Sequence, residues 1–313
     1  MVAPRTVVVV NPQSQGGRLG KRWPDLADTL AREFPFDDVQ TSGPGDATRL
    51  VHEALAAGAQ RIVGIGGDGT VNEVVNGFFD EAGAPLAPDA SFALIPYGTG
   101  GDFRRTLGLP TDLGEAARVI AADKRTRYDV GRLELTRRDG TRGLRMFANI
   151  ASFGVSGVVD RLVNESGKKL GRLSFAVATV RATWSYQNQR VELVFDGDPA
   201  SRVEATINTV AVANGKYFGG GMMVAPAAEP DDGAFDVVAL GDFGFGDIVK
   251  SGRRIFKGTH VSMDKVTTRR ARVVEAAPID PGAQVELDVD GEPLGVLPAR
   301  FELVPAALWV VVP

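Results

Sequence analysis

The chain has 313 residues, 44% hydrophobic and 24% charged, a globular balance at a length that holds about two domains and excludes a largely disordered protein. It has no cysteine and only two histidines, His52 and His260, which removes disulfide scaffolds, thiol nucleophiles and thiolate zinc sites and weighs against a histidine-dependent hydrolase. With 35 basic and 39 acidic residues the formal net charge is −4, so nucleic acid is not expected as a partner.

Thr6 to Val10 reads as a buried strand leading into the turn Asn11-Pro12-Gln13-Ser14-Gln15-Gly16-Gly17, after which Leu19, Trp23, Leu26 and Leu30 recur at helical spacing. The Val7 to Val10 run behind Arg5 is too short for a signal-peptide core, and no apolar run reaches 18 residues, so a cytoplasmic protein is expected. Thr41-Ser42-Gly43-Pro44-Gly45 forms the next turn. Asp46 can cap a helix carrying Ala47, Leu50, Val51, Ala54 and Leu55, and Gly58 stops it. Arg61 to Ile65 is another strand and Gly66 to Gly69 a turn. Val71, Val74, Val75, Phe78 and Phe79 then form the apolar stripe of a helix whose Thr70 and Glu73 have the spacing of a capping box. Ser91 to Ile95 is one more strand before a glycine-rich turn. This alternation predicts a parallel α/β sheet with ligands at the carboxyl ends of its strands.

Beyond about residue 128 the pattern changes to strand-like runs: Val130 to Leu135, Val191 to Phe195, Val203 to Ala213, Phe235 to Leu240 and the cleanly alternating Gln284 to Asp290. They predict a second, mostly antiparallel β domain, interrupted by a helical stretch at about Gly171 to Ser185. The expected division is 1–128 for the α/β domain and 129–306 for the β domain, with 307–313 returning to the first.

Two glycine-rich turns carry the chemistry. Gly64-Ile65-Gly66-Gly67-Asp68-Gly69 formally fits a dinucleotide fingerprint, but a carboxylate in that loop repels a pyrophosphate unless a cation lies between them. Pro96-Tyr97-Gly98-Thr99-Gly100-Gly101-Asp102 repeats the combination of glycines, a hydroxyl and an Asp after the next strand. A Walker A loop is missing. The pair points to a nucleotide bound with a metal.

Gly66-Gly67-Asp68-Gly69-Thr70-Val71-Asn72-Glu73-Val74-Val75-Asn76-Gly77 resembles the nucleotide-binding signature of the diacylglycerol kinase catalytic domain, shared by bacterial lipid kinases, sphingosine kinases and ceramide kinases. The resemblance runs through nearly the whole chain: Asn11-Pro12, Thr41 before Gly45-Asp46-Ala47, Gly98 to Phe103, Tyr128-Asp129-Val130-Gly131, Asp231-Asp232-Gly233 and Asp290-Gly291-Glu292. It implies a Rossmann-like α/β nucleotide domain followed by a β-sandwich. It also implies ATP contacts from Thr41, from Gly66, Gly67, Asp68, Gly69, Thr70, Val71 and Asn72, and from Thr99, with Asn11 and Ser14 shaping the adjacent turn. Asp68, Asp102 and Asp129 match the acidic network that holds catalytic magnesium through water. Asp232, with backbone carbonyls near Glu229 and Ala234, matches a structural magnesium site, and Glu292 matches the catalytic base. The usual Gly-Thr-Gly-Asn-Asp reads Gly98-Thr99-Gly100-Gly101-Asp102 here, which removes an amide side chain beside the nucleotide.

Within that frame Glu292 has a use, since a carboxylate can take the proton of a lipid hydroxyl as it attacks the γ-phosphorus, and the two domains are expected to face one another across a cleft. Two basic stretches fit a peripheral membrane association: Lys250 to Arg272, with eight basic residues and one acid, and Arg161 to Arg190, with six and one. Apolar Ile255, Phe256, Leu173, Phe175 and Val177 lie beside these charges and suit either a lipid entrance or the core. The reading is an ATP- and magnesium-dependent lipid kinase acting on a diacylglycerol-like or long-chain-base lipid, and a homodimer accords with the resemblance. The alternatives are a related kinase of a soluble substrate, such as an NAD kinase, a non-catalytic nucleotide-binding protein, and a plain dehydrogenase.

Overall fold

The structure, a computed structural model, describes residues 3–98, 100–165 and 186–313. Two compact units divide it, Met1–Val130 with Pro305–Pro313, and Gly131–Val304. The expected helix at 171–185, with Leu173, Phe175 and Val177, lies outside the described residues, as does Thr99.

The first unit alternates β1 (Thr6–Val10), α1 (Ser14–Ala31), β2 (Asp37–Gln40), α2 (Asp46–Ala56), β3 (Arg61–Gly66), α3 (Asp68–Asn76), β4 (Ser91–Pro96), α4 (Asp102–Leu107) and α5 (Leu113–Ala122). All strand pairs are parallel, in the order β2-β1-β3-β4, and Trp309 and Val310 near the chain's end add a last parallel pairing to Ser91 and Phe92. A strand covered on both faces needs apolar side chains on both, which is why Thr6 in β1 is followed by four consecutive valines. Val8, Val10, Val63, Ile65, Ala93 and Ile95 point to one face and pack on Leu19, Trp23, Leu26 and Leu30 of α1 and on Ala117 and Ile120 of α5. Truncating a core leucine such as Leu30 to Ala would cost about 2–5 kcal/mol. On the other face Gly64 lies against Phe92 and against Val74 of α3, and α3 packs on α2 so closely that a Cβ at Gly77 would meet Val51 at 2.5 Å. Strand order therefore reverses between β1 and β3, the switch point at which open α/β sheets bind ligands.

The second unit begins within β5 (Arg125–Thr136) and continues through β6 (Arg142–Phe147), β7 (Ile150–Gly154), α6 (Val155–Glu165), β8 (Gln189–Phe195), β9 (Asp198–Ile207), β10 (Thr209–Ala213), β11 (Phe235–Leu240), α7 (Phe245–Phe256), β12 (Val266–Ala271), β13 (Val273–Pro278), β14 (Glu286–Val289) and the long β15 (Glu292–Val311). One sheet runs β12-β11-β10-β7-β14-β15, and β15 also carries β5 with β6 and β13 with β8 and β9. Their inner faces share one core, in which Phe147 stacks on Phe235 and Phe153 on Phe301. The expected single run Val203 to Ala213 breaks at Asn208, whose amide turns to the carbonyls of Leu240 and Gly241 and so ends one strand before the next begins.

Candidate active site

Four connections, those after β1, β2, β3 and β4, meet at the carboxyl edge of the parallel sheet. Asn11, just after β1, donates through Nδ2 to Thr70 Oγ1 (3.0 Å), its backbone amide donates to the Ile65 carbonyl, and its Oδ1 accepts the Gln13 amide. Thr41, after β2, donates its amide to the Val10 carbonyl. Gly66 and Gly67 leave β3, and Tyr97 donates its amide to Gly66 at 2.8 Å, which ties the turn after β4 to the turn after β3. Glycine is required at this junction because a Cβ on Gly98 would meet the Gly67 Cα at 2.5 Å. The two glycine-rich turns thus pack backbone against backbone, as a surface that presents main-chain groups to a phosphate must.

Asp68 locks this arrangement. Its Oδ2 accepts the amide of Gly101 (2.9 Å), and its Oδ1 accepts those of Asp102 (3.1 Å) and Phe103 (3.3 Å), so a side chain at the start of α3 caps α4. A carboxylate offers about four lone-pair sites, and three are taken here. Buried Asp102 pairs with Arg105 at 2.9 Å, and buried Asp129 accepts the Ala306 amide at 2.7 Å. Among the described residues no three acidic or imidazole side chains form a group able to hold a metal by themselves. The donor set fits magnesium only in the form magnesium takes with nucleotides, ligated by phosphate and water with one or two carboxylates beside it.

The capping-box reading of Thr70 and Glu73 does not hold. Helix α3 begins two residues earlier, at Asp68, with Gly67 before it and no side-chain cap. Thr70 is buried and accepts from Asn11, while Glu73 reaches out of its own helix to accept the amides of Gly45 and Ala47, the start of α2. Nor does Asp46 cap α2. Gly45, at φ 80°, precedes the helix, and Asp46 in its first turn accepts the Ser42 amide and hydroxyl, which hold its carboxyl below the ordinary value. Of the other residues expected to contact ATP, Gly66 is buried against Thr70 and Gly69 lies in the first turn of α3. Val71 is buried with its amide bonded to the Gly67 carbonyl, so its own amide is already used. Asn72 is fully buried and accepts from Asn76 Nδ2.

In the second unit Glu292 pairs with Val289 across a two-residue hairpin, Asp290-Gly291, whose φ values of 50° and 87° are those of a type I′ turn. Asp290 accepts the amides of Ile150 (2.9 Å), Asn149 (3.2 Å) and Ala148 (3.2 Å) and donates its own amide to Ile150. The hairpin is therefore nailed to the β6–β7 connection, while the half-buried Glu292 carboxylate has no hydrogen bond or ion pair among the described residues. A rigid frame with a free acceptor is what a general base requires. The sequence marks Asp290-Gly291 as a turn and, through the family resemblance, Glu292 as a base, but not this brace, because the three amides come from a segment about 140 residues away.

Asp232 accepts the Ala234 amide and forms an ion pair with Arg270. Nearby Asp236 is buried, and desolvation first, then Asp232 and Glu229, raises its pKa against the pull of Arg270. A cation at Asp232 would have to share that carboxylate with Arg270.

A parallel sheet with glycine-rich turns at its switch point, followed in the chain by an antiparallel sandwich, is the two-domain fold of the NAD kinase-like class. The chain belongs to the diacylglycerol kinase family: residues 5–133 match the Diacylglycerol kinase catalytic domain, and residues 149–312 match the YegS C-terminal NAD kinase beta sandwich-like domain. It is 31% identical over 269 residues to a diacylglycerol kinase of Mycobacterium tuberculosis, covering 86% of this chain and 82% of that protein. With a diacylglycerol kinase of Bacillus subtilis it shares 28% identity over 99% of this chain and 96% of the other. The crystal structure of a diacylglycerol kinase from Bacillus anthracis superposes with a TM-score of 0.75 at 26% identity over 99% of this chain and 97% of that one. Yeast NADH kinase, at 12% identity, covering 99% of this chain and 84% of that one with a TM-score of 0.51, shares the fold alone.

Proposed function

We propose that this protein transfers the γ-phosphoryl group of ATP to a hydroxyl of a diacylglycerol-like lipid, giving a phosphatidic acid, or to that of a long-chain base. The observation that carries the reading is the family match over both domains, joined to a junction of glycine turns locked by Asp68 in the first domain and a free, braced Glu292 in the second. Backbone groups of Gly66 to Thr70 and of the turn from Gly98 to Gly101 hold the phosphates, with Asn11 and Thr41 beside them. Thr99 supplies a hydroxyl. Glu292 takes the proton of the lipid hydroxyl as its oxygen bonds to the γ-phosphorus, and the electron pair of the broken bond leaves on ADP. Magnesium, held through water by Asp68, Asp102 and Asp129, would neutralise the phosphates when bound. Asp232 with carbonyls near Glu229 and Ala234 is the position for a structural magnesium.

A lipid acceptor brings the protein to a membrane as a peripheral enzyme; among the described residues no helix is long and apolar enough to cross one. The test is transfer of labelled phosphate from Mg-ATP to a panel of lipids in mixed micelles, with NAD as a parallel acceptor. Labelled diacylglycerol or long-chain base is expected. Labelling of NAD alone, or of nothing, overturns the proposal. Glu292→Gln should lower kcat by about 100-fold or more with ATP affinity nearly unchanged, since it removes only the proton acceptor.

A further inference from the structure

Helix α7 carries an exposed charge stripe that the phosphoryl-transfer chemistry does not use. Lys250, Arg253, Arg254 and Lys257 are all exposed and follow one another at i, i+3, i+4 and i+7, the spacing that aligns side chains along one side of a helix. Among the described residues none of the four side chains has a hydrogen bond or ion pair. The one acid of the helix, Asp247, is already taken by Lys265 at 2.8 Å and by the Gly244 amide at 3.0 Å. Asp247 also acts on Lys250 through space, but one acid shared with Lys265 does not balance four cations, and like charges one turn apart repel one another, so the stripe calls for an outside counter-charge.

Beside the stripe is Phe256, 54% exposed and about 60° around the helix from Arg253 by the helical period. The other side of the helix is anchored: Ser251 is buried, Ile255 packs against the core cluster of Val224, Phe243 and Val266, and its carbonyl accepts the Met223 amide at 2.9 Å. Phe256 is thus held outward on a fixed helix. An anionic polymer also answers the cations but offers Phe256 no apolar phase, whereas an exposed phenyl beside a cationic stripe suits the boundary between headgroups and acyl chains.

We propose that α7 docks the protein on an anionic bilayer, its four cations taking acidic phospholipid headgroups and Phe256 entering the acyl boundary. This deepens the lipid-kinase reading by naming the element that would bring the protein to its acceptor, but binding to vesicles can be measured without turnover.

The test is co-sedimentation of the full chain with phosphatidylcholine vesicles with and without phosphatidylserine. Binding only to the anionic vesicles, lost as salt is raised, is expected of the unaltered protein; equal binding to both, or to neither, overturns the proposal. Each cation near an anionic surface is worth about fivefold in affinity, so combined Lys250→Glu, Arg253→Glu, Arg254→Glu and Lys257→Glu should weaken binding by at least about two orders of magnitude. Phe256→Ser should weaken it about tenfold. Should the combined variant fail to fold, Lys257→Glu and Phe256→Ser singly, with unchanged circular dichroism, carry the test, and unaltered vesicle binding by both overturns it. Tighter binding to a DNA duplex than to anionic vesicles also overturns it. Phosphorylation of a dispersed short-chain diacylglycerol by a protein whose vesicle binding is absent, or unchanged by the α7 substitutions, sinks the docking proposal alone. Vesicle binding through α7 by a protein that phosphorylates no lipid sinks the lipid-kinase reading alone.

Discussion

Glu73, on α3, accepts the backbone amide of Gly45 at 2.9 Å and that of Ala47 at 3.1 Å, so one helix ties off the start of its neighbour. Thr48 returns a bond to the Glu73 carbonyl at 2.8 Å. The connection after β2, which carries Thr41, is thereby fastened to the helix that begins at the glycine turn. Glu73→Ala should destabilise the protein by about 1–3 kcal/mol, because it leaves two amides without their charged acceptor. Glu73→Gln, which keeps one carbonyl acceptor, should cost less. Urea titration of the three proteins checks both the size and the order.

Gly101 takes the left-handed conformation, φ 67° and ψ 38°, where glycine is unstrained and asparagine is the side-chain-bearing residue that fits best. The nearest atom to a Cβ there is Arg104 Nε at 3.4 Å, the end of a flexible side chain. Gly101→Asn should therefore change stability by no more than about 1 kcal/mol and leave ATP affinity intact. Gly101→Val should cost about 1–2 kcal/mol more, since a branched side chain resists that backbone region. Thermal melts and nucleotide titration of the pair check the argument.

His260 is almost wholly buried, and its Nε2 donates to the Val224 carbonyl at 3.0 Å. Burial holds its pKa below the ordinary 6.5, so the folded protein keeps this ring neutral at a pH where the unfolded chain protonates it. The sign follows: the unfolded state binds more protons, and stability attributable to this ring falls as pH drops through 6.5 toward the lower folded value. Urea midpoints measured from pH 8 to 5 should decline more steeply for the unaltered protein than for His260→Gln. Equal slopes would refute the assignment.

The α/β half was legible because its signals are local. A β-branched run, a glycine turn and an apolar stripe at Val71, Val74 and Val75 each announce one element without reference to distant residues. The sandwich could be read as a class, since alternation along Glu286 to Val289 reveals a strand, but not as a topology, because the neighbours of that strand are β7 and β15 from opposite ends of the unit. Side-chain destinations were the least legible. The spacing of Thr70 and Glu73 is that of a local cap, yet Asp68 starts the helix earlier and both side chains have partners brought close only by folding. Asp68 itself stood out as an anomalous carboxylate in a phosphate-suited loop; that it caps α4 depends on the packing of Gly67 against Gly98, which no sequence period encodes.

Asp290 braces the hairpin that carries Glu292. Its carboxylate accepts three consecutive amides, and its backbone sits at φ 50°, a conformation that Asp and Asn tolerate and alanine resists. Asp290→Ala should lower stability by about 3 kcal/mol or more, because buried amides lose a charged acceptor. It should also lower kcat by about 100-fold, the usual consequence of a reacting group displaced by about 1 Å. The ATP KM should hold, since the nucleotide turns belong to the other unit. Asp290→Asn keeps the turn and one acceptor and should recover much of both losses. A purely structural brace would instead show lost stability with kcat per folded molecule unchanged, so kinetics normalised to the folded fraction decide whether Asp290 positions Glu292.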